Sequence, residues 1–480
     1  MKMAMLACAV CALVVSALTS GPWCDELTFA DSAFNFLQTG EWESNVWYCV
    51  YSPLFPLVTA GMMKVFGTSH FVASASCILF ALISSCVLVD VLRRRRWIET
   101  PLSAWTLVVL FWCGYSSSWI WGDGRPDAAT MLFSIVLIDT LAPDGSGERK
   151  TLLAFLAALF LVLTSSYMLP VLFVFGCLVL CFAHGDERKG VVCRGFAAAG
   201  GIALGYALIV VFYWWQHELV RFVGFMVYFN SVTGLKSQPL IGRLLRAYQM
   251  CPDVFVLLLV VACTRRFIRE CVCVALIPAV MVVCGRYEAY YAWTVHLASA
   301  VLLARAVPFL SCSVVFAILM MTVGAYFAKV GVALQTFGDR RSETRMAREF
   351  VRTHRDLLLS CSVVVAADTV GDVSLYYPLL EIGADIWYRG PETLAAPSDR
   401  EKFTVGLSAF VADSAQREKL LKKAFSIQKC QDVLPQNGLL VCHRLDDKDK
   451  VMSFLPKLNR KVEKLTGSGA YEIYKLYESE

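Results

Sequence analysis

Charge is scarce in this chain. Only 17% of its 480 residues are Asp, Glu, Lys or Arg, whereas 57% are hydrophobic. A soluble protein of this size needs more polar surface than such a composition supplies, so we expect the excess apolar residues to face lipid. The apolar residues also lie in runs long enough to cross a hydrocarbon layer of about 30 Å. The composition therefore predicts a polytopic integral membrane protein.

The sequence also lacks the usual signatures of zinc and nucleic-acid sites. Most of its 19 cysteines lie inside apolar runs, among them Cys8 and Cys11, and no Cys/His cluster has zinc spacing. The net charge is only +5, and the arginines occur in knots, such as "RRRR" at 93–96 and "TRRFIRE" at 264–270. Such knots are typical of cytoplasmic anchors on a membrane protein. We therefore expect membrane lipids, and no nucleic acid, among the partners.

The apolar runs predict a helical membrane domain over residues 1–335 with about eleven transmembrane helices. We expect the first run to be an uncleaved helix rather than a removed signal peptide, with Lys2 in the cytoplasm. The predicted spans cover residues 3–18, 69–92, 103–120, 127–142, 151–166, 169–183, 195–214, 253–263, 271–285, 291–307 and 311–333. With these spans the arginine knots all fall on the cytoplasmic side, as the positive-inside rule requires.

Residues 336–480 differ in character from the rest. A charged helical pattern is followed by short β-branched and aromatic runs such as "SVVVAAD" and "ADIWY", which predict a soluble α/β domain. An odd number of spans places this domain on the extracytoplasmic side, and it contains no metal, phosphate-loop or nucleophile motif. Cys24 with Cys49, and Cys430 with Cys442, would lie on the oxidising side, although the sequence alone supports neither disulfide.

The first candidate site residues are Asp25 and Glu26 in the first outer loop. The stretch "LTFADSAFNFLQTG" that follows them has one apolar and one polar stripe, which predicts a helix lying in the membrane interface and ending at Gly40. A carboxylate in the first turn of a helix is explained by capping. Adjacent residues point about 100° apart, so both carboxylates cannot easily serve one site. One of the two carboxylates can therefore cap the helix while the other acts in chemistry.

A second group of candidates lies in "GDGRPDAATMLF". Pro126 and Asp127 suit the first turn of a helix for purely structural reasons. Capping gives no role to Arg125, however, and does not by itself place Asp123, Arg125 and Asp127 at hydrocarbon depth. Ionisable groups there usually face a polar cavity.

A third group lies in "GRYEAYY" at 285–291, which precedes a late span. Tyr287 and Tyr291 fit an aromatic belt at a span end. Arg286 beside them either snorkels to the headgroups or binds a phosphate that enters from the outer leaflet. We interpret His296, within the following span, as a hydrogen-bonded core histidine rather than a catalytic residue.

Three of these segments together resemble a known family. "DELTFADSAFNFLQTGEW", "YSPLFPLVTAGMMKVFGTS" and "GRPDAATMLF" are similar in order and spacing to the GT-C superfamily of polytopic glycosyltransferases, in particular the branch of protein O-mannosyltransferases and aminoarabinose transferases. The resemblance covers residues 1 to about 140 well. It is looser through the middle, where "GRYEAYY" matches an Arg-Tyr element, and it says little about the C-terminal region.

The resemblance implies transfer of one sugar, with inversion, from a polyprenyl-phosphate-linked donor to a protein, lipid or surface glycan outside the cell (inner) membrane. It implies Asp25 as general base and Glu26 as its substitute or orienter. Donor phosphate and sugar would be held by further residues, which are Arg125, Asp127, Asp123, Arg286, Tyr287 and Tyr291. Four other basic residues are further candidates for binding the phosphate, namely Arg221, Lys236, Arg243 and Arg246.

No metal cofactor is expected, although Mg²⁺ or Mn²⁺ would suit a carboxylate site better than Zn²⁺. The sequence departs from the family at the hairpin tip "SSYMLP", which lacks the lysine or arginine often found before the proline there. Two other functions stay open, namely a transporter or flippase of lipid-linked sugars, and a non-catalytic scaffold with an outer binding domain. We find no internal repeat of the kind that transporters often show, and a scaffold would not need Asp25.

Overall fold

The computed structural model describes most of the chain, and every structural statement below concerns the described part. The described residues are 2–19, 24–40, 42, 52–113, 125–142, 148–183, 185–217, 219, 222, 239–249, 251, 264, 266–283, 293–366, 375–389, 413–415, 438–443, 460–468 and 471–478.

Helices make up most of the described chain. They are α1 (Lys2–Thr19), α2 (Cys24–Thr39), α3 (Leu54–Phe66), α4 (His70–Arg94), α5 (Pro101–Cys113), α6 (Asp127–Leu141), α7 (Glu148–Thr164), α8 (Leu169–Phe182), α9 (Gly185–Trp215), α10 (Leu240–Gln249), α11 (Ile268–Val283), α12 (Trp293–Ala306), α13 (Cys312–Thr353), α14 (Arg355–Leu359) and α15 (Tyr376–Glu381). Short 3₁₀ turns occupy Ser166–Met168 and Val307–Phe309. Helices overlap every predicted span except 253–263, which lies outside the described residues.

Few of the described helices are long and apolar enough to cross a membrane unaided. Ser74–Arg94 and Glu187–Trp215 meet that standard by length and composition. The pair Arg149–Thr164 and Ser166–Cys177 adds a third span if it is counted as one, although it is bent by 118°. Several other apolar helices have 10–17 residues. The chain is thus a mostly helical protein with apolar spans, and the total of about eleven stays a prediction.

The N-terminal helices form a bundle with two distinguishable ends. Its main apolar core joins side chains of α1, α4, α5, α6, α7 and α12. Helices α4 and α6 run parallel, because Cys77 donates to the Arg125 carbonyl near their starts while Arg95 Nε lies 2.7 Å from Asp139 Oδ1 near their ends. We call the end with Arg93 to Arg96 the arginine end, and the end with Arg125 the site end.

Helices α7 and α9 approach each other closely at a glycine. A Cβ atom on Gly201 would lie 2.2 Å from the carbonyl oxygen of Phe155. Small residues allow such close contact between apolar helices, whose association in lipid depends on packing rather than on the hydrophobic effect. A larger side chain at this position would therefore push the two helices apart.

The C-terminal part contains a five-stranded sheet with the order β2-β1-β3-β5-β4. Its strands are β1 (Ser362–Ala366), β2 (Ile386–Arg389), β3 (Gly438–His443), β4 (Arg460–Ser468) and β5 (Tyr471–Glu478). Strand β1 is parallel to both β2 and β3, whereas β5 is antiparallel to both β3 and β4. Helix α13 has 42 residues and crosses the predicted domain boundary at 335/336 without a break. The boundary itself, and the side of the membrane on which the sheet lies, stay predictions.

This sheet lies at the site end of the bundle. One cluster of buried apolar residues joins the strands to α13, through Phe350, and to the first-loop helices. The members from α2, α3 and the start of α4 are Ala30, Ala33, Ala60, Met63 and Val72. Helix α2 is therefore enclosed between the helical bundle and the sheet.

Candidate active site

Asp127 is fully buried at the start of α6, and its carboxylate contacts three other side chains. Arg125 Nε lies 2.9 Å from Oδ2. The other oxygen, Oδ1, accepts a hydrogen bond from the Tyr167 hydroxyl and one of 3.3 Å from Trp293 Nε1. Trp293 Nε1 is also 3.0 Å from the Tyr167 oxygen, so the four side chains form one connected network.

Local structure explains how this network is held. Pro126 has φ −71°, and its carbonyl accepts a 2.8 Å hydrogen bond from the Thr130 amide, so α6 begins directly after the proline. Two side chains of α4 tie the start of α6 to the bundle: Cys77 Sγ donates to the Arg125 carbonyl and Ser84 Oγ donates to the Ala128 carbonyl. The backbone on both sides of Pro126 is thereby anchored.

The two aromatic members come from distant parts of the chain. Tyr167 lies in the 3₁₀ turn at the bend between α7 and α8, and Trp293 is the first residue of α12. The buried indole N–H of Trp293 and the half-buried phenol hydroxyl of Tyr167 both need hydrogen-bond partners, and the Asp127 carboxylate supplies one to each. The network therefore joins three segments that the chain separates by long stretches of sequence.

Asp127 is better placed to hold Arg125 in position than to accept a proton from a substrate. A carboxylate has about four lone-pair sites, and three donors already occupy Asp127. Arg125 is only 8% exposed, so its charge would be costly there without the carboxylate beside it. Asp127 thus neutralises Arg125 and fixes the direction of its guanidinium group.

Asp25 and Glu26 lie in the first turn of α2, and their side chains are outside the described residues. One helical turn later, Phe29 belongs to the bundle core that also contains Trp293, whereas Ala30 belongs to the cluster with the sheet. Because positions i and i+4 share a helix face, position 25 is on the face of α2 turned to the bundle and position 26 on the face turned to the sheet.

The prediction that α2 ends at Gly40 is confirmed. Gly40 has φ +75°, and its amide donates a 3.0 Å hydrogen bond to the Phe36 carbonyl. Only glycine adopts this left-handed conformation at little cost, so the sequence signal has a direct structural cause.

His296 is a hydrogen-bonded core residue, as predicted. It is 2% exposed, and its Nε2 lies 2.8 Å from the carbonyl oxygen of Leu110 on α5. No role in chemistry is needed to explain it.

Several predicted site residues are outside the described part of the chain. They are Asp123, Arg286, Tyr287, Tyr291, Arg221 and Lys236. Of the remaining basic residues, Arg243 and Arg246 lie on α10, whose Ile241 and Leu245 are exposed. The described residues include no group of three or more His, Cys, Asp or Glu side chains arranged to hold a metal ion.

Tyr167 and Trp293 were missed by the sequence analysis. The hairpin tip "SSYMLP" lacks a cation, and its tyrosine carries no sequence signal that marks it as a site residue. Trp293 follows "GRYEAYY" by two residues and had a signal of its own, because an indole at the start of an apolar helix needs an acceptor once it is buried.

The fold of this chain is similar to those of two GT-C glycosyltransferases, ArnT and AftD. ArnT from Cupriavidus metallidurans bound to undecaprenyl phosphate aligns with a TM-score of 0.62 at 14% identity, covering 98% of this chain and 97% of that one. The apo state of the same ArnT gives a TM-score of 0.60 over the same shares. The arabinofuranosyltransferase AftD from Mycobacteria gives 0.51 at 14% identity, covering 99% of this chain and 40% of its own.

Sequence comparison adds nothing to this likeness. No protein-family model matches the chain. No curated protein matches it either.

Proposed function

We propose that this protein is a membrane glycosyltransferase that moves a single sugar from a polyprenyl-phosphate-linked donor to an acceptor at the site end, with inversion at the anomeric carbon. The observation that carries the proposal is the buried Arg125–Asp127 pair at the end of a bundle whose fold matches ArnT over nearly the whole chain. That ArnT is bound to undecaprenyl phosphate, which supports a lipid-linked donor for this chain.

Arg125 is the residue best suited to the phosphate of the donor. A guanidinium group presents several N–H donors in a plane that matches the oxygens of a phosphate. Asp127 occupies one edge of that group through Nε, and Tyr167 and Trp293 hold Asp127 in place. As the sugar leaves, charge develops on the phosphate, and a guanidinium fixed in advance stabilises it without rearranging. Arg286 is the second cation of this proposal.

Asp25 is the proposed general base. Its position on the bundle-facing side of α2 supports this role over Glu26, whose position faces the sheet. A base must reach the acceptor hydroxyl while the sugar becomes electron-poor, so a carboxylate on the same side as Arg125 suits both tasks. Glu26 then caps α2 or orients its neighbour. Asp123, Tyr287 and Tyr291 would complete the sugar site.

The proposed reaction uses no resident metal, with Mg²⁺ or Mn²⁺ as the alternative. Assays with added EDTA distinguish the two, because loss of turnover that Mg²⁺ or Mn²⁺ restores would establish a metal requirement. The membrane of residence is proposed to be the cell (inner) membrane, with the sheet outside the cytoplasm.

The proposal is tested with Asp25→Asn and Glu26→Gln in membranes supplied with a panel of polyprenyl-phosphate hexoses, pentoses and aminopentoses. The readout is release of free polyprenyl phosphate. We expect Asp25→Asn to lower turnover at least about 100-fold, as loss of a general base does, and Glu26→Gln to lower it by less than about tenfold. Equal expression and equal thermal stability of both variants are the control.

Two outcomes would contradict the assignment. Full turnover by Asp25→Asn would remove its role as base. Wild-type protein that moves lipid-linked sugar across vesicles without releasing polyprenyl phosphate would instead favour a flippase.

A further inference from the structure

Two arginines and three aromatic rings form a continuous series of contacts at the arginine end. The Cζ atom of Arg266 lies 4.1 Å from the ring centroid of Phe309, and the Phe309 and Phe267 centroids are 5.9 Å apart. Arg305 follows, with Cζ 5.1 Å from Phe267 and 4.9 Å from Trp97. These five residues, which we call the arginine–aromatic stack, come from the turn after α4, the segment before α11 and the end of α12 with its 3₁₀ turn.

The backbone beside this stack is held in a costly conformation at two places. Phe267 has φ +61° and Arg96, which precedes Trp97, has φ +55°. Such values are outliers for bulky residues and cost about 1–3 kcal/mol each. Conformations of this kind persist where the surrounding structure enforces them, and they concentrate at functional sites. The stack is therefore a specifically maintained feature and not a chance contact of surface side chains.

The two stacked arginines differ in their charge partners. Glu270 pairs with Arg305, its Oε1 lying 3.3 Å from Nη1. Among the described residues no carboxylate pairs with Arg266. A guanidinium group over a ring makes that contact through its face, so its N–H donors can still bind an anion. Phe309, which contacts Arg266, is 48% exposed and offers apolar surface beside those donors.

The depth of the stack matches that of lipid headgroups. The span Ser74–Arg94 has 21 residues, which at about 1.5 Å each crosses a hydrocarbon layer of about 30 Å. Its last residue is at the arginine end, so the stack lies where that layer meets water. Aromatic rings and arginines both favour this zone, the rings for apolar contact and the guanidinium groups for phosphate.

We propose that the arginine–aromatic stack binds the phosphate group of an anionic phospholipid in the leaflet at the arginine end. Arg266 donates hydrogen bonds to the phosphate, while Phe309 contacts the beginning of the acyl chains. The arginine–aromatic stack lies at the opposite end of the bundle from Asp127, so lipid binding there is independent of the proposed sugar transfer. A general attraction of basic residues to anionic lipid would involve all exposed arginines about equally. A specific site at the stack would instead make lipid binding depend mainly on Arg266.

The full-length protein is reconstituted in nanodiscs of phosphatidylcholine with or without phosphatidylglycerol. Native mass spectrometry then counts retained lipids, and thermal unfolding is followed as phosphatidylglycerol is added. We expect the wild type to retain phosphatidylglycerol above its bulk share. Arg266→Gln should weaken that binding about fivefold, by loss of charge-assisted hydrogen bonds. The matched control is Arg269→Gln, because Arg269 is an exposed arginine on the first turn of α11 without a ring contact among the described residues; it should change binding less than about twofold.

Three outcomes would overturn the proposal. One is a wild type that retains no excess phosphatidylglycerol. Another is an equal loss in the Arg266 and Arg269 variants, which would mean unspecific attraction of basic residues. The third is equal stabilisation by inorganic phosphate in phosphatidylcholine discs, which would mean a site for a free anion. Sugar transfer is not the readout, so failure here leaves the proposed function untouched, and failure of transfer leaves this site untouched.

Discussion

Replacing Asp127 by Asn tests whether its carboxylate exists to hold Arg125. The substitution keeps the shape and leaves one oxygen for Tyr167 and Trp293, but it removes the charge that faces Arg125 Nε at 2.9 Å. Arg125 is 8% exposed, so solvent compensates little for that loss. Breaking a buried ion pair from one side costs about 3–5 kcal/mol in soluble proteins. Polar contacts between membrane helices are often weaker, so we expect about 2–4 kcal/mol here.

Thermal unfolding of the purified protein in detergent measures this effect. For soluble domains of intermediate size, 1 kcal/mol shifts Tm by about 2–4 °C, and the shift shrinks as the chain lengthens. We therefore expect Asp127→Asn to lower Tm on the order of 5 °C. Tyr167→Phe removes the hydroxyl that bonds Asp127 and lies 3.0 Å from Trp293 Nε1, but Trp293 keeps Asp127 as an acceptor and no charge loses its partner. It should therefore lower Tm by less than half as much, for a cost of about 1–2 kcal/mol.

The double variant Arg125→Met with Asp127→Asn separates the ion pair from general damage to the site. Removing both charges leaves neither one buried without a partner, and such replacements are often close to neutral. The double variant should therefore be more stable than Asp127→Asn alone, while losing the phosphate contact proposed for Arg125. A Tm for Asp127→Asn within about 1 °C of the wild type would refute the reasoning, as would a double variant that is no more stable than Asp127→Asn alone.

Two further predictions concern other parts of the chain. Gly201→Ala should lower Tm by several degrees, for a cost of about 1–3 kcal/mol, because its Cβ would lie 2.2 Å from the Phe155 carbonyl oxygen. The control Gly200→Ala, whose Cβ would lie 3.7 Å from the Phe155 ring, should be neutral or stabilising. Equal Tm values for the two variants would refute the close packing of α7 and α9. In the sheet, a hydrogen bond to Glu463 raises the pKa of Tyr477, so that contact favours the fold below the ordinary value of 10.0 and is lost as the pH rises through the raised value. Absorbance titration near 295 nm should show one tyrosine titrating earlier in Glu463→Gln, and identical curves would contradict this.

Local signals in the sequence predicted local features of the structure correctly. The apolar and polar stripes after Glu26 predicted α2, and Gly40 ends it because that residue needs a positive φ. His296 is bonded to a carbonyl in the core, as expected of an apolar helix that carries a lone histidine. The order of the motifs in residues 1 to about 140 was enough to suggest the GT-C fold, which the structural likeness to ArnT confirms.

Such local signals could not predict which side chains form the Asp127 network. "GRPD" drew attention to Arg125 and Asp127, yet nothing in those letters indicates that Tyr167 and Trp293 meet the same carboxylate. Those contacts span 40 and 166 positions of sequence. They depend on how α7, α8 and α12 pack around α6, and packing of this kind leaves no periodic trace in any one segment.

The different faces of α2 on which positions 25 and 26 lie show the same division. Helix geometry predicts that the two carboxylates point in different directions, because neighbouring residues on a helix are about 100° apart. Which of them faces the bundle depends on the neighbours of α2, namely the bundle core at Phe29 and the sheet at Ala30. Membrane character, helix order and helix ends can be deduced from the letters because each arises within one segment. Three features depend on contacts between distant segments: the burial of Asp127, the face of α2 on which position 25 lies, and the arginine–aromatic stack. Only the tertiary structure determines them, because it brings those segments together.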